Sequence, residues 1–374
     1  MSLAYTNQGS RSEKNIRWIY IAHTFGMPRT GGERYNHLLI ETIQRTGQDV
    51  RILTDEAIPR FWRSHFILYN FWYCTHWRKF RGCRLIVDHY MFPRLVLFLY
   101  WLKKRTSVSV VGIVHHLYWN WFYSGPRFLS AFMKKAEACF IRRFNCLLVP
   151  SHCTLQSIAD IVDPPPVAGI IPPGTDREFR GELTRGSTPK SDQCRLLYVG
   201  MLHRRKGIDA LLRAMCLLPA AISLTAAGQG HRRYEKWLRR KVKRWSIEDR
   251  IRFKGHLNSQ ELDRLYRQAD VFVLPSRHEG FGISLVEAMR AGLPVVASRI
   301  CTLSELTDEG RSALLVPPGD VRRLADAICR LCADDDLRIR MGEAGRKRAQ
   351  ATLTWKQVES EFEAMIQKWK GMFL

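Results

Sequence analysis

The stretch of sequence that decides the fold is Val271–Met289, which reads VFVLPSRHEGFGISLVEAM. Its first four residues, Val271–Leu274, form an apolar run that predicts a buried strand, and the residues from Ile283 onward predict a helix. The loop between them carries Glu279 and two glycines. A strand that passes through such a loop into a helix is the repeating unit of a doubly wound α/β sheet, which binds ligands at the carboxyl ends of its strands. The stretch therefore predicts a ligand site in this loop.

Short apolar runs alternate with helical patterns in both directions from this stretch. The second half predicts strands at Arg195–Val199, Ile222–Ala226, Ile251–Phe253, Val271–Leu274, Pro294–Ala297 and Leu314–Val316. The first half predicts strands at Ile16–Ala22, Val50–Thr54, Arg84–Val87, Val108–Val114 and Cys146–Val149. Helices are predicted at Glu33–Arg45, Ile208–Leu217 and Ser259–Gln268. Parallel sheets covered on both faces produce this alternation, so we expect an α/β protein of two Rossmann-like, doubly wound domains that face a central cleft.

The length and one polar segment set the expected domain limits. The 374 residues suit two domains, at roughly 100–200 residues per domain. Thr175–Gln193 is polar and lacks periodic apolar residues, which is typical of a linker. We therefore predict the following division: a polar tail at 1–15, an N-terminal domain at 16–176, a linker at 177–193, a C-terminal domain at 194–352, and a helix at 353–374 that crosses back to the N-terminal domain.

The composition excludes several classes of protein. Apolar residues make up 46% and charged residues 25%, which argues against wholesale disorder. The longest apolar run, Leu95–Leu102, is too short to span a membrane, and the N-terminus lacks an apolar signal core. The ten cysteines form no recognisable disulfide framework, so a reducing cytosol is the expected compartment. Cys329 and Cys332 are expected to be buried core thiols rather than redox or metal ligands.

Four features carry candidate chemistry, and three of them have a plainer alternative. Glu279 and Glu287 could accept hydrogen bonds from sugar hydroxyls, or they could be solvated acids beside a glycine turn. The basic loop at 204–206 could clamp a diphosphate, or it could be a solvated run of charge. The glycine pair at 31–32 before a helix permits close approach to a phosphate. His115 follows a strand and is either an active-site imidazole or a structural histidine; a metal site is not expected there.

The net charge of about +24 should attract anionic partners. Aromatic and basic residues alternate between Phe61 and Arg143, as in Trp101–Arg105, which is typical of an interfacial membrane contact. Two alternatives stay open: the aromatic residues could form core, or they could stack on single-stranded nucleic acid. No nucleic-acid recognition module is visible, so we expect an anionic membrane surface as partner rather than nucleic acid.

Taken together, these motifs resemble the family 4 retaining glycosyltransferases (glycosyl transferases group 1), which have the GT-B fold. The resemblance runs from about Trp18 to Lys370 and is strongest in the second half. The matching segments are Gly31–Arg34, His115, Val149–Ser151, Ile171–Asp176, Val199-Gly200, Lys206-Gly207, Ala227–Gly230, and Glu279 followed by Glu287.

The resemblance implies a role for each matching residue. Glu287 would bind the ribose hydroxyls, Glu279 and His115 would lie beside the donor sugar, and Lys206 would stabilise the leaving diphosphate. The backbone at Phe281, Gly282 and Ile283 would hold the sugar and diphosphate, and Gly32 would pack against the diphosphate. Gly31 and Gly228 are also expected to bind substrate, although a lone G-x-G such as that at Gly228 usually marks only a turn. No metal or other cofactor is implied, because lysine and arginine supply the positive charge to a UDP-, GDP- or ADP-sugar donor.

This sequence departs from the family pattern at three places. Met201 stands where the family often has an arginine, so either Arg204 or Arg205 supplies the second cation, or the diphosphate is held less tightly. Cys301-Thr302 replaces the usual glycine pair, and Pro173 replaces a common asparagine. The expected function is sugar transfer to a lipid-linked or glycan acceptor at the cytoplasmic membrane face, on the inner side of the cell membrane. The alternative is a non-catalytic protein of the same fold that binds polyanions or membrane.

Overall fold

Twelve strands of the described chain form two parallel sheets of six strands each, one in each half of the sequence. This confirms the predicted α/β fold with two doubly wound domains. The structure is a computed structural model that describes residues 17–372 except 27, 29, 64, 93, 119–126, 178 and 180–192. The predicted polar tail and nearly all of the predicted linker therefore lie outside the described residues.

The first sheet has the strand order β2-β1-β3-β4-β5-β6. Its strands are β1 (Arg17–Ala22), β2 (Val50–Thr54), β3 (Cys83–Asp88), β4 (Val110–Ile113), β5 (Cys146–Val149) and β6 (Val167–Ile170). Its helices are α1 (Gly31–Arg45), α2 (Arg60–Arg63), α3 (Phe66–Thr75), α4 (Val96–Arg105), α5 (Arg127–Ile141) and α6 (His152–Ala159). Every residue of β3, β4 and β5 is buried, as expected for central strands that helices cover on both faces.

The second sheet has the order β12-β11-β10-β7-β8-β9. Its strands are β7 (Cys194–Val199), β8 (Ile222–Ala227), β9 (Ile251–Gly255), β10 (Val271–Leu274), β11 (Val295–Ser298) and β12 (Leu314–Val316). Its helices are α7 (Ile208–Met215), α8 (Arg232–Arg244), α9 (Ser259–Gln268), α10 (Ile283–Arg290), α11 (Cys301–Leu306), α12 (Val321–Ala333) and α13 (Asp335–Ala349). The strand order changes direction beside β10 and β7, and ligands of such sheets bind at this kind of switch point.

The last helix, α14 (Trp355–Met372), packs against α1 of the first half. Trp355, Phe362 and Trp369 share an apolar cluster with Trp18 of β1, and the rings of Trp18 and Trp369 have centroids 6.1 Å apart. The chain therefore crosses between the halves twice, once after β6 and once before α14.

Local signals explain where the structure departs from the predicted limits. The helix predicted from Glu33 begins at Gly31, because the side chain of Thr30 accepts from the backbone N–H of Glu33 while the Glu33 carboxylate accepts from the backbone N–H of Thr30. Strand β6 was absent from the prediction, since its four residues VAGI contain a glycine and carry little periodicity. It forms because it pairs in parallel with β5.

The expectation about cysteines is wrong for four of the ten residues. Cys153 of α6 is bonded to Cys301 of α11, so this disulfide joins the two halves. Cys332 of α12 is bonded to Cys194 of β7, so it is not the free core thiol that was predicted. Sequence spacing misled here, because the partners are separated by 148 and 138 residues and meet only through the fold.

Candidate active site

The centre of the site is a short basic turn that follows β7. Residues 204–206 form a single 3-10 turn, which ends at Gly207 with a φ of 68°. A Cβ on Gly207 would lie 1.8 Å from the carbonyl oxygen of Pro275, at the end of β10. The left-handed backbone and this close approach both require glycine, and they bring the basic turn against the loop that carries Glu279.

Lys206 and Glu279 form a buried ion pair between these two loops. The Lys206 Nζ donates to both carboxylate oxygens of Glu279, at 2.7 and 2.8 Å. The side chains are 15% and 4% exposed. The hydroxyl of Ser276 donates to the same carboxylate at 2.7 Å, so Glu279 holds the lysine at a defined position.

The charges around Glu279 keep it ionised. Burial alone would raise the pKa of Glu279, but the positive charges of Lys206 and Arg205 outweigh burial and lower the pKa below its usual range. A lysine beside an ionised acid in a partly closed site is a preorganised cation of the kind that stabilises a developing negative charge.

Arg205 and Arg204 differ in their contacts with the Lys206–Glu279 pair. The Arg205 guanidinium donates to the carbonyl of His278 at 2.8 Å and lies 3.5 Å from the Glu279 carboxylate. Its charge also acts across the cleft, where it adds to the effect of burial in lowering the pKa of His116. Arg204 is exposed and contributes its backbone carbonyl to the turn. Arg205 is thus the better placed of the two to supply a second cation.

A second ion pair, between Arg277 and Asp209, holds the basic turn in place. Arg277 forms two hydrogen bonds to the carboxylate of Asp209 on α7, at 2.8 and 2.9 Å. Its backbone N–H donates to the carbonyl of Arg205 at 2.7 Å, and its side chain donates to the carbonyl of Arg204. Bidentate arginine–carboxylate pairs are geometrically specific, so this pair joins the loops after β7 and β10 into one unit.

Helix α10 opens directly beside the Lys206–Glu279 pair. Gly282 caps the helix with a φ of 100°, and a Cβ there would lie 2.9 Å from Leu303. The residues Phe281, Gly282 and Ile283 therefore place the backbone of the first turn at the edge of the cleft. Free N–H groups at a helix N-terminus favour a phosphate, which suits the position predicted from sequence.

Glu287 lies one turn further along α10 and is already engaged. The hydroxyl of Tyr266 donates to Glu287 Oε2 at 2.9 Å, and Arg177 Nε lies 3.1 Å from Oε1. Arg177 also pairs with Asp263 of α9. The Glu287 side chain is 15% exposed, so a ribose hydroxyl would have to share this carboxylate with Tyr266 and Arg177.

His115 lies on the facing edge of the first sheet, within a buried polar chain. Its Nε2 lies 2.9 Å from Asn36 Oδ1, and the amide of Asn36 donates to Asp88 Oδ2 at 2.8 Å. Burial lowers the pKa of His115 to about 4, so the imidazole is neutral and Nε2 donates to Asn36. Burial also raises the pKa of Asp88 to about 6.

Glycines allow the two halves to meet at this point. A Cβ on Gly31 would lie 2.1 Å from the side chain of Ile283, and one on Gly280 would lie 2.3 Å from the carbonyl of His115. Gly32 faces the His115 ring, at 3.7 Å from its built Cβ position. The structure therefore brings together Gly31, Gly32, His115 and the loop of Glu279, which are far apart in sequence.

Gly228 has a different environment from the other predicted site residues. Its φ is 136°, and a Cβ there would lie 2.0 Å from the carbonyl oxygen of Gly200. The glycine thus permits the loops after β7 and β8 to approach each other. Its predicted contact with substrate stays a prediction, as do the other roles assigned from sequence.

Sequence reasoning missed the residues that hold the predicted ones in place. These are Arg177, Asp209, Arg277, Asn36 and Asp88. Arg277 lies within the quoted stretch and Asp209 within the helix predicted at Ile208–Leu217, so their opposite charges were the available signal, but their pairing depends on how the loops dock. Among the residues that the structure describes, no group of three or more His, Cys, Asp or Glu side chains is arranged to hold a metal ion.

Comparison with known proteins identifies the relatives of this chain. The family model described as glycosyltransferase family 4 matches residues 28–179, and the one described as glycosyl transferases group 1 matches residues 180–348. A curated relative, D-inositol 3-phosphate glycosyltransferase of Corynebacterium jeikeium, is 34% identical over 241 residues, which cover 59% of this chain and 56% of the relative. The chain spans about half the length of the curated relatives it matches.

Solved structures share the whole fold at low sequence identity. Sucrose-phosphate synthase from Thermosynechococcus elongatus has a TM-score of 0.76 and 22% identity, covering 96% of this chain and 99% of the other. HepE from Anabaena, solved with UDP and glucose, has a TM-score of 0.68 and 15% identity, covering 94% and 99%. At these identities the likeness establishes the GT-B fold and nothing finer.

Proposed function

Because the chain belongs to the family 4 glycosyltransferases, we propose that it transfers a sugar from a nucleotide-diphosphate sugar to a glycan or lipid-linked acceptor. The observation that carries this proposal is the buried Lys206–Glu279 pair, which lies at the carboxyl edge of the second sheet and beside the N-terminus of α10. Fixed positive charge and free backbone N–H groups converge there, as a diphosphate requires.

The donor would lie along α10. Its diphosphate would bind the first turn, at Phe281, Gly282 and Ile283, with Lys206 and Arg205 beside it. The nucleoside would extend toward Glu287, whose carboxylate would accept from the ribose hydroxyls. The complex of HepE with UDP supports a nucleotide of this kind, and the candidate donors are UDP-, GDP- and ADP-sugars.

The reaction breaks the bond between the sugar and the diphosphate, so negative charge develops on the departing phosphate. Lys206 would stabilise that charge, and Glu279 would keep the lysine ready without a reorganisation cost at the moment of reaction. His115, neutral and hydrogen-bonded through Nε2, would shape the sugar pocket from the opposite edge. The chemistry uses side chains of this chain and needs no metal. Retention of the anomeric configuration is proposed from the family.

The acceptor side would face a membrane. Large apolar side chains are exposed on α2–α5 of the first half, among them Phe61 at 67%, Phe128 at 77% and Phe132 at 65%. Basic residues flank them, including Lys104 and Arg105 of α4. Among the described residues, no helix is long and apolar enough to cross a bilayer. We propose peripheral attachment at the inner face of the cell membrane through this surface.

The decisive experiment is a transfer assay with each of the three donor classes. Purified protein is incubated with UDP-, GDP- or ADP-sugars and a membrane lipid extract, and release of nucleoside diphosphate is measured. Proton NMR of the product sugar then gives the anomeric configuration. Turnover with one donor and an unchanged anomeric configuration supports the proposal. No release above that of Lys206→Ala with any donor contradicts it.

A further inference from the structure

The most strongly charged surface of the molecule lies outside the site, on helix α8 and the neighbouring edge strand β9. Residues 232–254 contain eleven Lys or Arg and three Asp or Glu, a net charge of 11 − 3 = +8, which is one third of the +24 of the whole chain. Nine of these cations are exposed: Arg232, Arg233, Lys236, Arg239, Arg240, Lys243, Arg244, Arg252 and Lys254. We call these nine residues the α8 surface.

The α8 surface is continuous between the helix and the strand. The Arg239 guanidinium lies 4.9 Å above the ring of Phe253, which connects α8 to β9. Strand β9 is the edge of the second sheet, so Arg252 and Lys254 extend the row of charge beyond the helix. Leu238 and Val242 face the core, which leaves the cationic face of the helix to the solvent.

Within the part of the chain that the structure describes, no ion pair compensates the positive charges of this surface. In the described parts of the chain, Lys236, Arg240 and Lys243 have no ion-pair partner within 4.0 Å. Glu235, the only acid within the helix, accepts from the backbone N–H of Gly230 at 2.6 Å instead. Like charges spaced at i and i+4 on a helix repel one another, and a nearby layer of negative charge would relieve that repulsion.

We infer that the α8 surface is a docking site for the anionic headgroups of a lipid bilayer, a second membrane contact separate from the apolar surface of the first half. Headgroups need only positive charge on their partner. A single-stranded nucleic acid needs exposed rings on which bases stack. Here the rings are occupied: Tyr234 and Trp237 stack on each other at 5.5 Å, and Lys241 lies over Trp237 and Trp245.

A protein partner is also disfavoured by the chemistry of this surface. Stable protein interfaces rely on exposed aromatic or aliphatic anchors that fill pockets. None of the exposed large apolar side chains in the described chain lies on α8 or β9. A diffuse anionic layer therefore fits this face better than a shaped partner. The inference does not depend on the proposed transfer of sugar.

The test is co-sedimentation of the full chain with phosphatidylcholine vesicles, with and without phosphatidylglycerol, at low and physiological salt. The triple variant Lys236→Ser, Arg240→Ser, Lys243→Ser removes three charges from the α8 surface. Arg340→Ser, Arg346→Ser, Lys347→Ser on α13 removes the same charge elsewhere and is the matched control. A further variant, Lys236→Arg with Lys243→Arg, preserves the charge. Thermal melting of each variant tests whether it is folded.

Each cation near an anionic surface should change the affinity by about fivefold, so we expect the α8 triple variant to bind phosphatidylglycerol vesicles at least tenfold more weakly than wild type. The α13 variant should change little, and the Arg variant should bind like wild type. Equal losses in the α8 and α13 variants would overturn the inference, because net charge alone would then explain binding. Wild type that ignores anionic vesicles at low salt, or that binds duplex DNA more tightly than vesicles in an α8-dependent manner, would also overturn it. UDP, GDP and ADP binding, measured in parallel, reports on the proposed transferase function independently.

Discussion

The two edges of the cleft hold different chemistry at their centres. The edge of the second half presents cations, Lys206 and Arg205, fixed around an ionised Glu279. The edge of the first half presents the neutral His115 in a hydrogen-bonded chain with Asn36 and Asp88. Fixed charge suits one invariant anionic group, such as a diphosphate, whereas a neutral polar wall discriminates by shape and hydrogen bonding. Under the proposed function, this difference would place donor binding in the second half and acceptor recognition in the first.

The outer surfaces of the two halves also differ, since one exposes large apolar side chains and the other exposes positive charge. Of the exposed large apolar side chains in the described chain, those at 61–132 belong to the first half and only Met201, Leu217 and Ile339 to the second. The second half instead concentrates bare positive charge on α8. An apolar and basic surface can insert into a bilayer, whereas a purely basic one can only rest on its headgroups.

The largest effect is expected at the cation of the second half. Lys206→Ala should lower kcat by about 100- to 1000-fold, the usual loss when one preorganised group that stabilises the departing charge is removed. The Michaelis constant for the donor should change much less. Arg213→Ala, an exposed cation on α7, is the control, and thermal melting should check that unpaired Glu279 leaves the fold intact. A loss confined to the Michaelis constant would contradict this role for Lys206.

The next effect concerns binding rather than turnover. Glu287→Ala should weaken binding of the free nucleoside diphosphate by about 1.5–3 kcal/mol, because a charged acceptor for the ribose hydroxyls is lost. Isothermal titration calorimetry measures this directly. Glu287→Gln keeps the size and one acceptor oxygen, so it should lose less. Unchanged affinity in both variants would mean that Glu287 serves only Tyr266 and Arg177.

A smaller effect is expected on the outer surface of the first half. Phe128→Ser with Phe132→Ser should weaken vesicle binding by about tenfold, since fully burying a phenylalanine is worth about 1.5–3 kcal/mol and an interfacial contact buries only part of each ring. Leu217→Ser with Ile339→Ser removes exposed apolar groups from the second half and should have no effect. If both pairs behave alike, the contrast between the halves does not extend to membrane binding.

The smallest effect is expected from a change of pH, because the His115 imidazole at the edge of the first half should stay neutral. Burial lowers the pKa of His115 to about 4, so the imidazole carries no charge at any pH above about 5. Titration of His115 should therefore cause no fall in kcat/KM as the pH decreases through about 6.5. Such a fall in wild type that disappears in His115→Gln would show that this histidine titrates in the active protein.

In both halves, features with a local sequence signal could be predicted, whereas contacts between distant residues could not. The strands and the Glu279–Glu287 motif were predictable, because apolar runs and glycine turns are local signals; β7 and β10 begin or end within one residue of the predicted limits. The Arg177–Glu287 contact and the Cys153–Cys301 disulfide were not predictable, since their partners are 110 and 148 residues apart and meet only after folding. Local pattern specifies the elements, whereas the docking of loops decides which charges are paired.

The measurement that tests the central assignment most directly is thermal unfolding of wild type, Lys206→Ala and Glu287→Ala in the presence of UDP-, GDP- and ADP-sugars. A ligand at about 100 times its dissociation constant stabilises the folded protein by roughly 2.7 kcal/mol. We predict that one donor class raises the melting temperature of wild type and that the same concentration stabilises Glu287→Ala much less. Lys206→Ala should keep most of the stabilisation, because Lys206 acts mainly on the charge that develops during the reaction. Equal stabilisation of wild type and Glu287→Ala, or no stabilisation of wild type by any donor, would contradict a donor site at the edge of the second half.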